Sequence, residues 1–261
     1  MHIAENEIHI WYSFDAEIQD EELLSLYHST LAPNEAEQQR KFYFAADRHR
    51  YLITRALLRS TLSQYAPTIP AQEWYFQENE YGKPFIANES LPEPLHFNIS
   101  HSKNAVVLAI ARIEELGIDV EFMPRPTNFS DIAQNFFSPV EAEHLLSLPE
   151  DRQKRRFYDI WTLKEAYIKA CGMGLSIPLD HFSFSFSSLE EITVGFVPER
   201  GDTPELWNFW QWMPSPEHLS SLAVKSRFAQ KDIEISIFES TPFAQILPSK
   251  CPISQGHLFS G

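Results

Sequence analysis

The stretch NAVVLAIARIEELGIDVEF, residues 104–122, holds two different kinds of strand. Residues 104–111 run almost uninterruptedly apolar, the pattern of a strand covered on both faces. Residues 117–121, GIDVE, alternate instead: Ile118 and Val120 point one way, Gly117, Asp119 and Glu121 the other. The break at 114–116 puts a domain boundary near Leu116. Asp119 and Glu121 then sit side by side, roughly 6–7 Å apart, where their repulsion is on the order of 2–3 kcal/mol at an effective dielectric of about 20. Either that face is wet enough to screen the charges, or something positive belongs between them.

Working outward, residues 7–14 read as a strand, 20–28 as a helix and 35–64 as one or two helices. Short strands are predicted at 74–77 and 84–86, around the turn-like NEYGKP. A proline-bearing loop at 122–126 leads to helices over 131–146 and 152–170, and mainly β pattern follows from 181. The class is α+β. An internal echo links the halves: PNEAE at 33–37 with RKFY at 40–43, then PVEAE at 139–143 with RRFY at 155–158. The spacing differs, but a duplicated α+β unit is the simplest cause, and two related halves would form a cleft between them. The expected organisation is an N-terminal subdomain over 1–115, a C-terminal one over 116–240 and a tail over 241–261, which has three prolines and few charges.

With 261 residues, 43% of them hydrophobic, the chain can bury a core without staples. Cys171 and Cys251 show no metal-type or disulfide-type spacing. No basic and apolar leader opens the chain and no eighteen apolar residues run together, so a cytoplasmic protein with no membrane partner is expected. A formal net charge of −15 argues against nucleic-acid binding. Yet Arg40, Lys41, Arg48, Arg50, Arg55 and Arg59 cluster with Asp47 as the only acid among them. Such a patch suits a small anionic ligand or an acidic partner, or it pairs with the surplus acids.

WTLKEAYIKACGMGLSIP, residues 161–178, reads as a helix in which Glu165 and Lys169 share a face. That spacing alone allows an ordinary ion pair, and Gly172 and Gly174 suit a helix end. FNISHS, residues 97–102, sets Ser100 beside His101, but adjacent residues of a strand point apart and no nucleophile elbow occurs, so a hydrolase is a poor reading. The same residues can bind a phosphate or merely satisfy backbone groups. Taken together, three converging carboxylates would hold a hard divalent cation, of which Mg²⁺ fits oxygen ligands and substrate phosphates. The arginines, Lys83 and His101 would supply further anion contacts. The residues themselves lead to phosphoryl-type chemistry on a small phosphorylated substrate.

FNISHS, GIDVE, FFSPVE, WTLKEAYIK and GMGLSIPLDHFSF, in this order, resemble the 4′-phosphopantetheinyl transferases in their two-domain, surfactin-synthetase-activating form. The resemblance runs over roughly residues 35–186. It implies two similar α/β subdomains related by a pseudo-two-fold axis. It also implies transfer of the phosphopantetheine arm of coenzyme A to a serine of an apo acyl or peptidyl carrier protein, as a holo-carrier synthase, with release of adenosine 3′,5′-bisphosphate. On the same grounds Asp119, Glu121 and Glu165 would be Mg²⁺ ligands, with Glu165 also helping to deprotonate the carrier serine. Lys169 would stabilise the leaving group, Lys83, Ser100 and His101 would contact phosphates, and Arg50 would hold the 3′-phosphate. Arg55 has a weaker claim on that phosphate, sharing a helix face with Arg48 and Arg59. Phe129, Phe136 and Phe137 are candidates for the apolar part of the carrier contact, and two fused halves favour a monomer.

One departure stands out: Glu35 and Gln38 occupy positions where relatives often carry lysine or arginine, which leaves the grip on the 3′-phosphate open. The rival readings are a metal-dependent nuclease, disfavoured by the net charge, and a non-catalytic carrier-binding or nucleotide-binding relative.

Overall fold

The computed structural model describes residues 1–91, 93–186, 192–249 and 254–255. In chain order these form β1 (Glu7–Ser13), α1 (Glu21–Thr30), α2 (Pro33–Lys41), α3 (Ala45–Tyr65), β2 (Phe76–Glu78), β3 (Pro84–Ile86), β4 (His96–Ser102) and β5 (Ala105–Ala111). They continue as β6 (Leu116–Phe122), α4 (Phe129–Phe136), α5 (Pro139–Ser147), α6 (Glu150–Cys171), β7 (Phe182–Phe186) and β8 (Ile192–Phe196). The last strands are β9 (Trp207–Ser215), β10 (His218–Lys225), β11 (Glu234–Thr241), β12 (Gln245–Pro248) and the two-residue β13 (Ser254–Gln255).

By its contacts the chain divides into two units: Met1–Asn79 with Pro84–Glu114 and Ile233–Lys250, and Glu80–Lys83 with Glu115–Asp232 and Cys251–Gly261. The first unit is a five-stranded sheet in the order β12-β11-β1-β5-β4. Its core combines Leu52, Ile53, Ala56 and Leu57 of α3 with Trp11, Phe97, Val106, Leu108 and Ile110 of the sheet. The run predicted at 35–64 resolves into α2 and α3. They break at Phe42–Phe44, where Arg48 Nη1 donates to the carbonyls of Phe42 (2.9 Å) and Tyr43 (3.0 Å).

The expected division differs at its C-terminal end. β11 pairs in parallel with β1, Glu7 opposite Glu234 through Tyr12 opposite Glu239, and β12 pairs antiparallel with β11. Residues 233–249 are thus sheet of the first unit, not the end of the second unit followed by a tail. Alternating Ile235 and Ile237, with Phe238 stacked on Trp11 at 4.5 Å between ring centroids, supply the apolar contacts that hold them there. Apart from Ser254–Gln255, the rest of the expected tail, with Cys251, lies outside the described residues.

The second unit has a four-stranded sheet in the order β13-β9-β10-β6, antiparallel in each pairing, and the hairpin β7-β8. α6 lies along it. Its residues Leu163, Ala166, Tyr167, Ile168 and Ala170 pack with Phe182, Phe184, Trp207, Phe209 and Ala223.

The PNEAE and PVEAE echo has a physical basis. Each opens a helix with proline in the first turn and glutamate at its third position: Glu35 accepts from the Ala32 N–H at 2.9 Å, Glu141 from the Ser138 N–H at 3.0 Å. Each glutamate is buried and then pairs with a fully buried base on the next long helix. Glu35 Oε2 accepts from Arg59 Nε at 2.9 Å, and Glu141 Oε2 lies 2.8 Å from Lys164 Nζ. RKFY and RRFY are not equivalent in this way, since the first ends α2 and runs into the break while the second lies within α6.

Lys164 also donates to the carbonyls of Leu179 (2.6 Å) and Phe182 (2.7 Å), so its ammonium anchors α6 to the following chain. Burial pushes its pKa down and Glu141 opposes that shift. Lys164→Met leaves Glu141 charged in the interior, at an expected cost of about 3–5 kcal/mol. A urea titration read by circular dichroism checks this, and a midpoint equal to that of the wild type would refute it.

Candidate active site

Asp119 and Glu121 meet their neighbours because a strand and a helix keep step. Gly117, Asp119 and Glu121 span about 13 Å of β6, at roughly 3.3 Å per residue. Trp161, Glu165 and Lys169 recur at successive turns of α6 and span about 12 Å. The rows run in opposite directions: Lys169 Nζ donates to Asp119 Oδ1 at 2.6 Å, and Trp161 Nε1 donates to Glu121 Oε1 at 3.2 Å. Gly117 permits the approach. A Cβ there would lie 2.1 Å from Ala166 O and 2.3 Å from Ala170 N, so the helix backbone occupies the space of a side chain. At one end of the pair Lys83 Nζ donates to Leu116 O (3.3 Å) and Ala170 O (2.9 Å), tying the start of β6 to the last turn of α6. Gly172, at φ +67°, closes the helix, its N–H reaching Ile168 O and Lys169 O.

The face carrying the two acids is therefore not wet: Asp119 is only 4% exposed and Glu121 is half-buried. Burial raises the Glu121 carboxyl, the Asp119 charge raises it further, and the Trp161 hydrogen bond opposes both. Glu165 is pushed up to about 7, first by burial and then by Asp119, with Lys169 pulling the other way and Glu121 adding to the rise. Among the described residues Glu165 accepts no hydrogen bond. A half-buried carboxyl with two acidic neighbours and no donor is a group that a cation would stabilise.

The three carboxylates are not drawn around one point: among the described residues no group of three His, Cys, Asp or Glu side chains is arranged to hold a metal ion. The Lys169 ammonium lies 2.6 Å from Oδ1 of Asp119. The chemistry of the set, three carboxylate oxygen donors with a cation already drawn among them, fits a hard divalent ion.

In the first unit, Arg50 and His101 come together around Asp15, which no sequence pattern singles out. Arg50 Nε lies 3.3 Å from Asp15 Oδ2 and its Nη1 3.3 Å from Asp47 Oδ1, while His49 Nε2 donates to the Asp15 carbonyl at 2.8 Å. Burial raises the Asp15 carboxyl, while the charges of Arg50, His49 and His101 oppose the rise. Ser100 and His101 point to opposite faces of β4: Ser100 is buried and His101 exposed.

Arg55 is engaged elsewhere, paired with Glu35 and lying over the Phe76 ring at 4.8 Å. Glu35 itself is 5% exposed and faces Arg55 and Arg59, which hold its carboxyl below the usual range against the cost of burial. Of the two departures noted in the sequence, Glu35 is thus an inward-facing helix cap, while Gln38 is exposed. Of the phenylalanines, Phe136 is exposed, Phe129 packs on the core, and Phe137 is buried and stacked on Phe157 at 5.5 Å between centroids.

Residues 115–223 match the family model described as the 4′-phosphopantetheinyl transferase superfamily, and residues 19–113 match the model of a 4′-phosphopantetheinyl transferase N-terminal region. The chain is 31% identical over 226 residues to the 4′-phosphopantetheinyl transferase HetI of Nostoc sp. strain PCC 7120, covering 85% of this chain and 89% of that protein. The chain belongs to the 4′-phosphopantetheinyl transferase family. It is also similar to the 4′-phosphopantetheinyl transferase Sfp of Bacillus subtilis strain 168, at 41% identity over 169 residues, 64% of this chain and 72% of that one. Members of this family are enzymes that take coenzyme A and act on carrier proteins. The match at 115–223 holds Asp119, Glu121, Glu165 and Lys169, and the match at 19–113 holds Arg50, Arg55, Lys83, Ser100 and His101. Among the described residues no helix is long and apolar enough to cross a membrane.

Three groups that anchor α5, α6 and the chain packed on them escaped the sequence reading. Glu141 carried a usable signal, since Ser138-Pro-Val-Glu141 is a capping box. Lys164 had a weaker one, a lysine beside Leu163 on a helix that otherwise faces a core. Asp202, hydrogen-bonded by Tyr167 thirty-five residues away, had none.

Proposed function

We propose that the protein transfers the 4′-phosphopantetheine arm of coenzyme A to the serine hydroxyl of an apo acyl or peptidyl carrier protein in a Mg²⁺-dependent reaction. The observation that carries this reading is the meeting of β6 with α6, which sets Asp119 and Glu121 beside the helix face of Glu165 and Lys169, with Lys169 Nζ 2.6 Å from Asp119 Oδ1 and Trp161 Nε1 3.2 Å from Glu121 Oε1. Asp119, Glu121 and Glu165 would hold the ion, which when bound supplies Lewis-acid polarisation of the donor's diphosphate. The protein's own groups do the rest. Glu165 accepts the proton of the carrier serine as its oxygen bonds to the phosphopantetheine phosphorus. Lys169 moves its ammonium from Asp119 to the phosphate oxygens and balances the charge of the departing adenosine 3′,5′-bisphosphate. Arg50 and His101 are assigned to the donor's phosphates, and Asp15 and Asp47 steady the guanidinium. Lys83 and Ser100 serve the same anion, Lys83 in part by holding the end of α6, and Arg55 acts through Glu35. The expected setting is a monomer in the cytoplasm.

The test is to incubate the protein with coenzyme A, Mg²⁺ and a panel of apo carriers and measure intact mass. Phosphopantetheine added to a carrier serine supports the reading, and unmodified carriers throughout would refute it. Plasmid DNA incubated in parallel should remain uncut.

Phe136 (53% exposed) and Val140 (70% exposed) present apolar surface at the junction of α4 and α5, and we assign them to the carrier contact. Phe136→Ser is expected to raise the KM for the carrier by roughly 5–30-fold, about 1–2 kcal/mol, with the KM for coenzyme A unchanged. An unchanged carrier KM would remove this face from the interface.

A further inference from the structure

The ion-binding reading needs α6 to be set against β6 in three respects. Gly117 sets the approach, and Lys83 and Lys164 set the position along the axis. The remaining one is rotation about the axis. A carboxylate about 6 Å from a helix axis moves roughly 2 Å for a turn of 20°, which exceeds the tolerance of about 0.5 Å of a working site.

The side of α6 turned away from Glu165 and Lys169 carries a connected set of polar groups. Tyr167 lies about 200° around the helix from Glu165. Its hydroxyl donates to Asp202 Oδ2 and accepts from Arg200 Nε at 2.6 Å. Arg200 also lies 3.1 Å from Asp202 Oδ2 and donates to Cys171 Sγ at 3.2 Å, one turn further along α6. The second oxygen of Asp202 accepts from Lys225 Nζ at 3.0 Å. Lys225 ends β10, the strand hydrogen-bonded to β6. One carboxylate therefore grips the helix with one oxygen and the sheet with the other. Asp202 follows a short 3-10 turn, Pro198–Arg200, which carries Arg200 and is reversed at Gly201 with φ +67°.

We propose that Tyr167, Arg200 and Asp202 are positioning residues that fix the rotation of α6, and through it the placement of Glu165 and Lys169 against Asp119. The proposal rests on the reading of Asp119, Glu121 and Glu165 as an ion site. It adds that the affinity of this site is set from the far side of the helix.

Tyr167→Phe removes only the hydroxyl, because the ring stays packed on Phe182 (4.4 Å) and Trp207 (4.7 Å between centroids). The probe is Mn²⁺ alone, titrated into the full-length protein and read by electron paramagnetic resonance, alongside kcat and KM for coenzyme A. The expected result is a fall of about 10–100-fold in Mn²⁺ affinity and in kcat, with the KM for coenzyme A within about twofold of the wild type. Asp202→Asn, which keeps an acceptor for Tyr167 while weakening the hold on Lys225, should fall between wild type and Tyr167→Phe, and it stands in if the first variant does not fold. Wild-type Mn²⁺ affinity and kcat in the folded variants, with only a lower melting temperature, would overturn the proposal. Glu165→Gln separates the two levels. If it binds Mn²⁺ as the wild type does, the ion-site reading falls and the proposal with it; if it loses Mn²⁺ while Tyr167→Phe does not, only the positioning role is lost.

Discussion

Glu165→Gln is expected to abolish transfer while making the metal-free protein more stable at pH 8. The folded carboxyl titrates at about 7 against an ordinary 4.5. Between those values the folded chain holds a proton that the unfolded chain has released. Stability therefore falls as pH rises through this window, and the full cost is present above pH 7. Glutamine keeps the shape and removes the charge, recovering on the order of 2–3 kcal/mol at pH 8. The gain should disappear below about pH 4.5, where both states of the wild type are protonated. Urea titrations of both proteins at pH 4.5 and pH 8 measure this. Transfer, followed by intact mass, should fall by about 10³-fold or more, the usual scale for losing a group that both holds a metal and moves a proton. A variant that stays active, or that is less stable than wild type at pH 8, would show that Glu165 is an ordinary surface-facing partner of Lys169.

The second large effect is expected at Gly117. An alanine methyl would meet Ala166 O and Ala170 N at 2.1 and 2.3 Å, and both are backbone atoms that cannot turn aside. α6 must then withdraw from β6, which separates Lys169 from Asp119 and Trp161 from Glu121. Overpacking of this kind costs typically 1–3 kcal/mol, and a displacement of about 1 Å at a reacting group can cost 10²-fold in rate. Gly117→Ala should therefore lose both stability and transfer, the second far more than the first. Single-turnover kinetics under conditions where circular dichroism shows the variant folded separate the two. Full activity in a folded Gly117→Ala protein would mean that the closeness of strand and helix is not needed for the reaction.

The residues that meet across β6 and α6 were legible because each obeys a local period. Two-residue spacing put Asp119 and Glu121 on one face, and four-residue spacing put Glu165 and Lys169 on another. What brings the two faces into register is Gly117, which the sequence reading placed only on the same strand face as the acids. Glu35 was read as a departure at a position where relatives often carry lysine or arginine, which left its direction open. Its actual direction follows from its place in the first turn of α2, where a glutamate turns back toward the chain and here continues to Arg55 and Arg59. Phe137 was named with Phe129 and Phe136 as a candidate for the carrier contact, but adjacent residues at a helix end point in different directions, and Phe137 enters the core. The pairing of β11 with β1 joins residues 227 apart, as at Tyr12 and Glu239, and no local pattern carries such a partner.

That pairing bears on how the protein is made. β1 is synthesised 227 residues ahead of its parallel partner, counted from Tyr12 to Glu239, so one of its edges has no neighbour until residues 234–241 follow, whereas Glu115–Asp232 emerges as one continuous run. A nascent chain must therefore carry an open sheet edge with Trp11 beside it until β11 and Phe238 have been translated. Poor recovery of fragments that stop short of β11 is the expected result.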